Sequence, residues 1–191
     1  MQIESLFCFM VLTSLLAWIT LSDLRSRRIP NLGVTIGIVV AMALHTLPPQ
    51  GDGLFSFWWG GLGPIQSMLG LALGLALFMP LYLLGVMGAG DVKLLGMVGA
   101  WLGPKLLIGA TLLSLLAGGV LAVGMMVCTR SSRQVLINVR LMLTTTMVGI
   151  MSGKLMPPEP ALTTGRRLPY ALAIGVGTLS QVALQLFNAA P

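Results

Sequence analysis

The chain has 191 residues, of which 56% are hydrophobic and only 8% charged, with a formal net charge of +6. A soluble domain carries about 25% charged residues, so this composition excludes a water-soluble globule and points to a bilayer. The basic excess does not indicate nucleic acid, because the lysines and arginines sit in short clusters between apolar runs, as topology signals do.

A span needs roughly 20 apolar residues, so the length suits a single integral-membrane domain over residues 1–191, all-α, with about six transmembrane helices. The first runs from Ile3 to Leu21. It has no basic leader region or small-residue cleavage motif and carries Glu4, so it reads as a span and not as a signal peptide. The charged loop SDLRSRRIPN follows, and Pro30 fits the first turn of a second span, Asn31 to Leu47, where its missing N–H costs nothing. His45, the only histidine, sits near the end of that run and is expected at the interface.

The stretch Pro48 to Pro64 is rich in Gly, Pro and aromatics, and Trp58 and Trp59 suit a membrane interface. A third span covers Ile65 to Met87. After the turn Gly88-Ala89-Gly90-Asp91, the residues VKLLGMVGAWLG read as a helix of about 12 residues, roughly 18 Å long and too short to cross alone. It either begins at some depth inside the protein or does not fully cross. A fifth span runs from Pro104 to Cys128 and the last from Leu168 to Phe187, with a mixed segment Thr129 to Arg167 between them, in which the apolar piece Leu141 to Gly153 has no assigned placement.

With the N-terminus outside and all six helices crossing, ten basic residues fall on the inner side: Arg25, Arg27, Arg28, Lys93, Arg130, Arg133, Arg140, Lys154, Arg166 and Arg167. Lys105 alone lies outside, so the partition follows the positive-inside rule and both termini face outward. Glycines four apart, at Gly70 and Gly74, Gly99 and Gly103, and Gly149 and Gly153, are expected to let helix backbones approach closely. Cys8 and Cys128 lie in or beside apolar runs with no CxxC or Cys/His cluster, so no disulfide framework, metal or other cofactor is indicated.

Five carboxylates leave few places for chemistry. Glu4, Asp52 and Glu159 read as solvated surface groups. Asp23 and Asp91 each end an odd-numbered span, which brings both to one membrane face, and ionisable groups there are costly unless they line a site or a watery cavity. Two adjacent carboxylates share a proton, so that one can act as base on water and the other as acid toward a carbonyl. Gly88 and Gly90 would permit backbone conformations closed to other residues and let an extended substrate approach.

Asp91 would occupy the N-cap of the following helix, whose dipole favours an anion, whereas Asp23 sits at a helix C-terminus that disfavours one. Asp91 is thus expected to be the base and Asp23 the proton holder. Spacing alone leaves a plainer alternative open: Asp23 neutralising Arg25 to Arg28, Asp91 a helix cap and Lys93 an interfacial anchor.

At these residues the sequence resembles the type IV prepilin peptidases, a family of GxGD intramembrane aspartic proteases. GAGDVKLLGMVGAWLG is similar to that family's second catalytic segment, DLRSRRIPN to its first, and RRLPYALAIGVG to its last helix. The resemblance implies catalytic aspartates Asp23 and Asp91 on the cytoplasmic face of a bacterial inner membrane, with the glycines Gly88 and Gly90 forming the active-site loop. It implies prepilins or pseudopilins as substrates, cut between a short basic leader and a hydrophobic helix. Long members carry a cytoplasmic insert with two CxxC pairs and also methylate the new N-terminus. Here the loop Ser22 to Asn31 is short and CxxC is absent, which resembles the peptidase-only form of tight-adherence (Flp) pili, so N-methylation is not expected. The arginine clusters would repel a basic leader, so anionic lipid headgroups of the bilayer are their expected partners. The oligomeric state is not legible.

Two other readings compete. Signal-peptide-peptidase-like and presenilin-like proteases share only GxGD. A pilus or secretion scaffold, or a proton-coupled transporter using the two aspartates, belongs to a different class; a transporter would more naturally show internal repeats and mid-bilayer charges.

Overall fold

The computed structural model describes residues 3–56, 60–84, 87–128, 144 and 170–188. The described residues form five helices: α1 (Ile3–Ser26), α2 (Asn31–Thr46), α3 (Pro64–Leu83), α4 (Ala89–Cys128) and α5 (Tyr170–Asn188). Four of them are long and apolar enough to cross a membrane, and α2, with 16 residues, is shorter. The protein is an all-α polytopic membrane protein.

Each outer helix buries a stripe and leaves its other apolar residues outward, as lipid-facing helices do. In α1, Ser5, Cys8, Leu12, Leu16 and Ile19 face inward at helical spacing, while Phe7, Met10, Trp18 and Leu21 are exposed. In α2 the inward residues include Gly33, Gly37, Ala41 and His45, and in α3 Ser67, Gly70, Gly74 and Phe78. Both runs keep a spacing of three or four residues.

The boundaries differ from the sequence expectations in ways with local causes. Helix α1 continues past Asp23 to Ser26 and stops where Arg27 takes a left-handed φ of 51° while its N–H still reaches the Asp23 carbonyl oxygen at 2.7 Å. Pro30 sits at the N-cap of α2 rather than inside its first turn. Helix α3 ends at Leu83, one turn short of the expected Met87.

The expected fourth and fifth spans are two arms of α4. They meet at Gly103, whose φ of 69° and ψ of 172° are not helical. The bend is sharp enough for Leu107 to reach back over Gly99. The first arm is the centre of the molecule: Val92, Leu94, Leu95, Met97, Val98, Ala100, Trp101 and Leu102 are all buried. A helix apolar on every side belongs in a core. Its shortness is thereby explained, because protein and not lipid surrounds it.

Helix α3 runs antiparallel to this arm at very short range. A methyl group at Gly70 would strike the Gly99 carbonyl, and one at Gly74 the Leu95 carbonyl, so glycine is required at both for the backbones to touch. The second arm of α4 packs antiparallel on α5, with Gly118 beside Tyr170 and Gly177 against Ser114. The pair Gly149 and Gly153, and the mixed segment Thr129 to Arg167 apart from Thr144, lie outside the described residues.

Breaking α4 frees two carbonyls. Pro104 has no N–H to return to Ala100, and the bend removes the next donor from Trp101. The Ser67 hydroxyl donates to the Ala100 oxygen at 3.0 Å, and His45 Nε2 meets the Trp101 oxygen at 3.1 Å. His45 Nδ1 accepts the Leu62 N–H at 3.2 Å, which leaves the proton on Nε2 as donor. The Trp101 indole in turn donates to the Gly37 oxygen at 3.0 Å. His45, expected at the interface, is therefore a buried tie at 1% exposure, because the broken helix offers it a carbonyl and the loop an amide.

Candidate active site

The end of α1, the start of α2 and the start of α4 come together, with Ile29 against Gly90 and Asn31 bonded to Lys93, and the two aspartates lie in these segments. Asp23 is in the last turn of α1 and Asp91 in the first turn of α4, and both are partly buried. The other described carboxylates, Glu4 and Asp52, are exposed. The two carboxylates are near enough for the charge of Asp23 to act on Asp91. Among the described residues Asp23 forms no ion pair with Arg25, Arg27 or Arg28; Arg27 acts on it through its field alone. A role for Asp23 as simple neutraliser of that cluster is correspondingly weakened.

Two contacts join the segments. Gly90 lies against Ile29, and a methyl group there would come within 3.1 Å of the Ile29 Cβ. Lys93 Nζ donates to Asn31 Oδ1 at 3.3 Å. The Ile-Pro-Asn sequence after Asp23 thus packs on the Gly-x-Gly-Asp turn through its first and last residues. Lys93, two residues beyond Asp91, is turned about 200° from it around the helix. That placement matches an anchoring role for Lys93 and separates it from the carboxylate pair.

The glycines work differently from the sequence expectation. Neither Gly88 nor Gly90 has a positive φ; the described glycines that do are Gly53, Gly63 and Gly103. Gly90 is needed for the close approach of Ile29. Among the described residues a methyl at Gly88 would meet Asp91 Oδ2 at 3.4 Å and the Gly90 nitrogen at 4.0 Å, both ordinary contacts.

Asp91 is likewise not the N-cap. Helix α4 begins at Ala89, which puts Asp91 at the third helical position. From there its Oδ2 accepts the Gly88 N–H at 3.2 Å, the reach-back half of a capping box. The carboxylate is held at a helix N-terminus all the same, with one oxygen engaged and the other available.

Tyr170 is a neighbour that sequence reasoning passed over. Its ring packs on Gly118 in the second arm of α4, and the charge of Asp91 acts on its phenol. The Leu-Pro-Tyr sequence marks the last helix, but nothing in it signals that the helix comes near the aspartates.

A leader-peptidase family model matches residues 10–123, more than half of the chain, and that stretch contains both aspartate segments. Neither the curated proteins nor the solved structures contain a match. The chain belongs to the type IV leader peptidase family.

Proposed function

We propose that the protein is an intramembrane aspartic endopeptidase that removes the short basic leader of type IV prepilins or pseudopilins, with Asp23 and Asp91 as the catalytic pair. The observation that carries this reading is that the segments holding Asp23 and Asp91 pack together, Gly90 on Ile29 and Lys93 on Asn31, with both aspartates partly buried while the other described carboxylates are exposed.

In this mechanism the pair holds one proton. The ionised carboxylate takes a proton from water as its oxygen attacks the scissile carbonyl carbon. The protonated partner gives its proton to the carbonyl oxygen, forming a tetrahedral diol, and collapse of that diol expels the amine, which is protonated as it leaves. The Gly88 amide and the α4 N-terminus favour the anion at Asp91, which supports Asp91 as the base, while its desolvation acts in the opposite sense. The shared proton accordingly belongs to the pair. The lack of close contacts at Gly88 among the described residues supports an approach route for an extended peptide on that side of the turn.

The substrate fits by physics as well as by family. A prepilin with its basic leader in the cytoplasm and its apolar helix in the bilayer carries its scissile bond at the interface, the level at which Asp23 and Asp91 end their helices. The site would then face the cytoplasm, with both chain termini outside. The short connection between α1 and α2, Arg27 to Pro30, supports a peptidase without methyl transfer.

The test is co-expression with a prepilin, comparing wild type, Asp23→Asn and Asp91→Asn at matched membrane levels. Loss of the cleaved band in both variants is the expected result. Cleavage by both would refute the aspartic mechanism, and failure of wild type on several pilin classes would favour a scaffold or transporter.

A further inference from the structure

A cavity of about 230 Å³ opens between α2, α3 and the first arm of α4, on the far side of that arm from Asp91. Val34 and Ile38 of α2, Leu71 and Leu75 of α3 and Gly96 of α4 line it, with Asn31 and Lys93 at one end. We propose that it holds part of one acyl chain of an anionic phospholipid whose phosphate sits at Lys93 and Asn31. This inference stands whether or not Asp23 and Asp91 are the catalytic pair.

Three helix faces converge in the required order. Asn31, Val34 and Ile38 follow one face of α2 over about 10 Å of rise, Leu71 and Leu75 are one turn apart on α3, and Lys93 and Gly96 share a face of α4. Polar atoms lie at the end where the helices meet the membrane surface, and apolar side chains lie deeper. A phospholipid enters with the same polarity, headgroup at the surface and chain inward.

At the deeper wall Gly96 lets the Leu75 side chain lie directly on the α4 backbone: a methyl there would come within 2.9 Å of it. An apolar cleft left empty forfeits dispersion contacts along its whole lining and does not attract water. The volume is below the roughly 300–1,000 Å³ of small-molecule sites, yet it accommodates several methylene groups.

Charge selects the headgroup. Lys93 is exposed, carries three donors and shares one with Asn31, which leaves two for phosphate oxygens. The exposed Arg25, Arg27 and Arg28 at the same end enrich anionic lipid nearby. A peptide substrate is disfavoured as occupant because the cleft lies about 200° around the helix from Asp91.

The experiment reconstitutes the full chain into vesicles of phosphatidylcholine containing a minor fraction of phosphatidylglycerol. The protein is then extracted into mild detergent, and retained lipid is counted by native mass spectrometry. Wild type is expected to keep one phosphatidylglycerol in preference to phosphatidylcholine. Lys93→Gln should lower that preference about five-fold, the weight of one surface cation. Thr35→Trp, at an exposed residue lining the cleft, should displace lipid of either headgroup.

Replacing Arg25, Arg27 and Arg28 by glutamine should leave the retained molecule in place. Retention of phosphatidylglycerol by Lys93→Gln and Thr35→Trp at wild-type levels would overturn the proposal. So would unchanged lipid retention with a raised KM for prepilin, which would make the cleft a peptide subsite. Lys93 is exposed, so its variant remains decisive even where Thr35→Trp fails to fold.

Discussion

At the end of the bundle away from the aspartates, the break in α4 is closed by side chains from other elements. Ser67 takes one freed carbonyl, His45 takes the other and binds the loop at Leu62, and Trp101 reaches the Gly37 oxygen. At the aspartate end, the two motif segments meet through one apolar contact at Gly90 and one exposed hydrogen bond from Lys93. The far end is buried and its polar groups are matched, which fixes the arm that carries Asp91. Among the described residues the near end carries fewer buried ties, which agrees with the proposed entry of a polypeptide there.

The contrast can be broken from either side. The largest effect is expected at the near end: Asp23→Asn and Asp91→Asn should each lower prepilin cleavage by at least about 100-fold. The melting temperature in detergent should stay unchanged, since neither side chain is part of the far-end lock. Next comes Gly70→Val, which drives a side chain into the Gly99 carbonyl. Loss of the monodisperse folded peak on size exclusion is the expected outcome.

His45→Ala and Ser67→Ala should follow, each costing about 1–3 kcal/mol because a buried carbonyl loses its donor. Thermal unfolding measures that cost, while cleavage per folded molecule should hold near wild type. The comparison would collapse if these variants stopped cleavage without lowering stability. The smallest effect separates the two glycines of the turn. Gly90→Ala must move Ile29 and should slow cleavage several-fold, whereas a methyl at Gly88 makes only ordinary contacts among the described residues and should change the rate less. A reversal of that order, in initial rates at matched protein levels, would point to substrate contact at Gly88.

Much of this was legible in the residues. Apolar runs marked the helices, though α1 runs more than a turn past its expected end at Leu21, and the small-residue spacing at Gly70, Gly74 and Gly99 foretold the close backbone packing of α3 on α4. The family followed from DLRSRRIPN and GAGDVKLLG in their order. Other features were invisible because they depend on partners distant in sequence. His45 is 56 residues from the carbonyl it meets, and only the break at Gly103 makes that carbonyl available.

The helix start at Ala89 moved Asp91 from the cap to the third position, a two-residue matter that propensity does not resolve. Tyr170 becomes a neighbour of Asp91 only once α5 packs on the second arm. The lipid cleft needs three helices to exist at all.

The length of α2 has a consequence for the membrane itself. Sixteen residues rise about 24 Å, short of the roughly 30 Å of a hydrocarbon core, and tilting such a helix shortens its reach further. Its outward residues Leu32, Ile36 and Val39 are exposed and apolar, so acyl chains must meet this face. A bilayer that α2 crosses would have to thin alongside it, or flanking residues reach out to the surface, at a fraction of a kcal/mol per Å. Thinning would draw headgroups and their hydration inward on that flank. For a member of a peptidase family, whose second reactant is water, such a strip would shorten the path that water travels into the bundle.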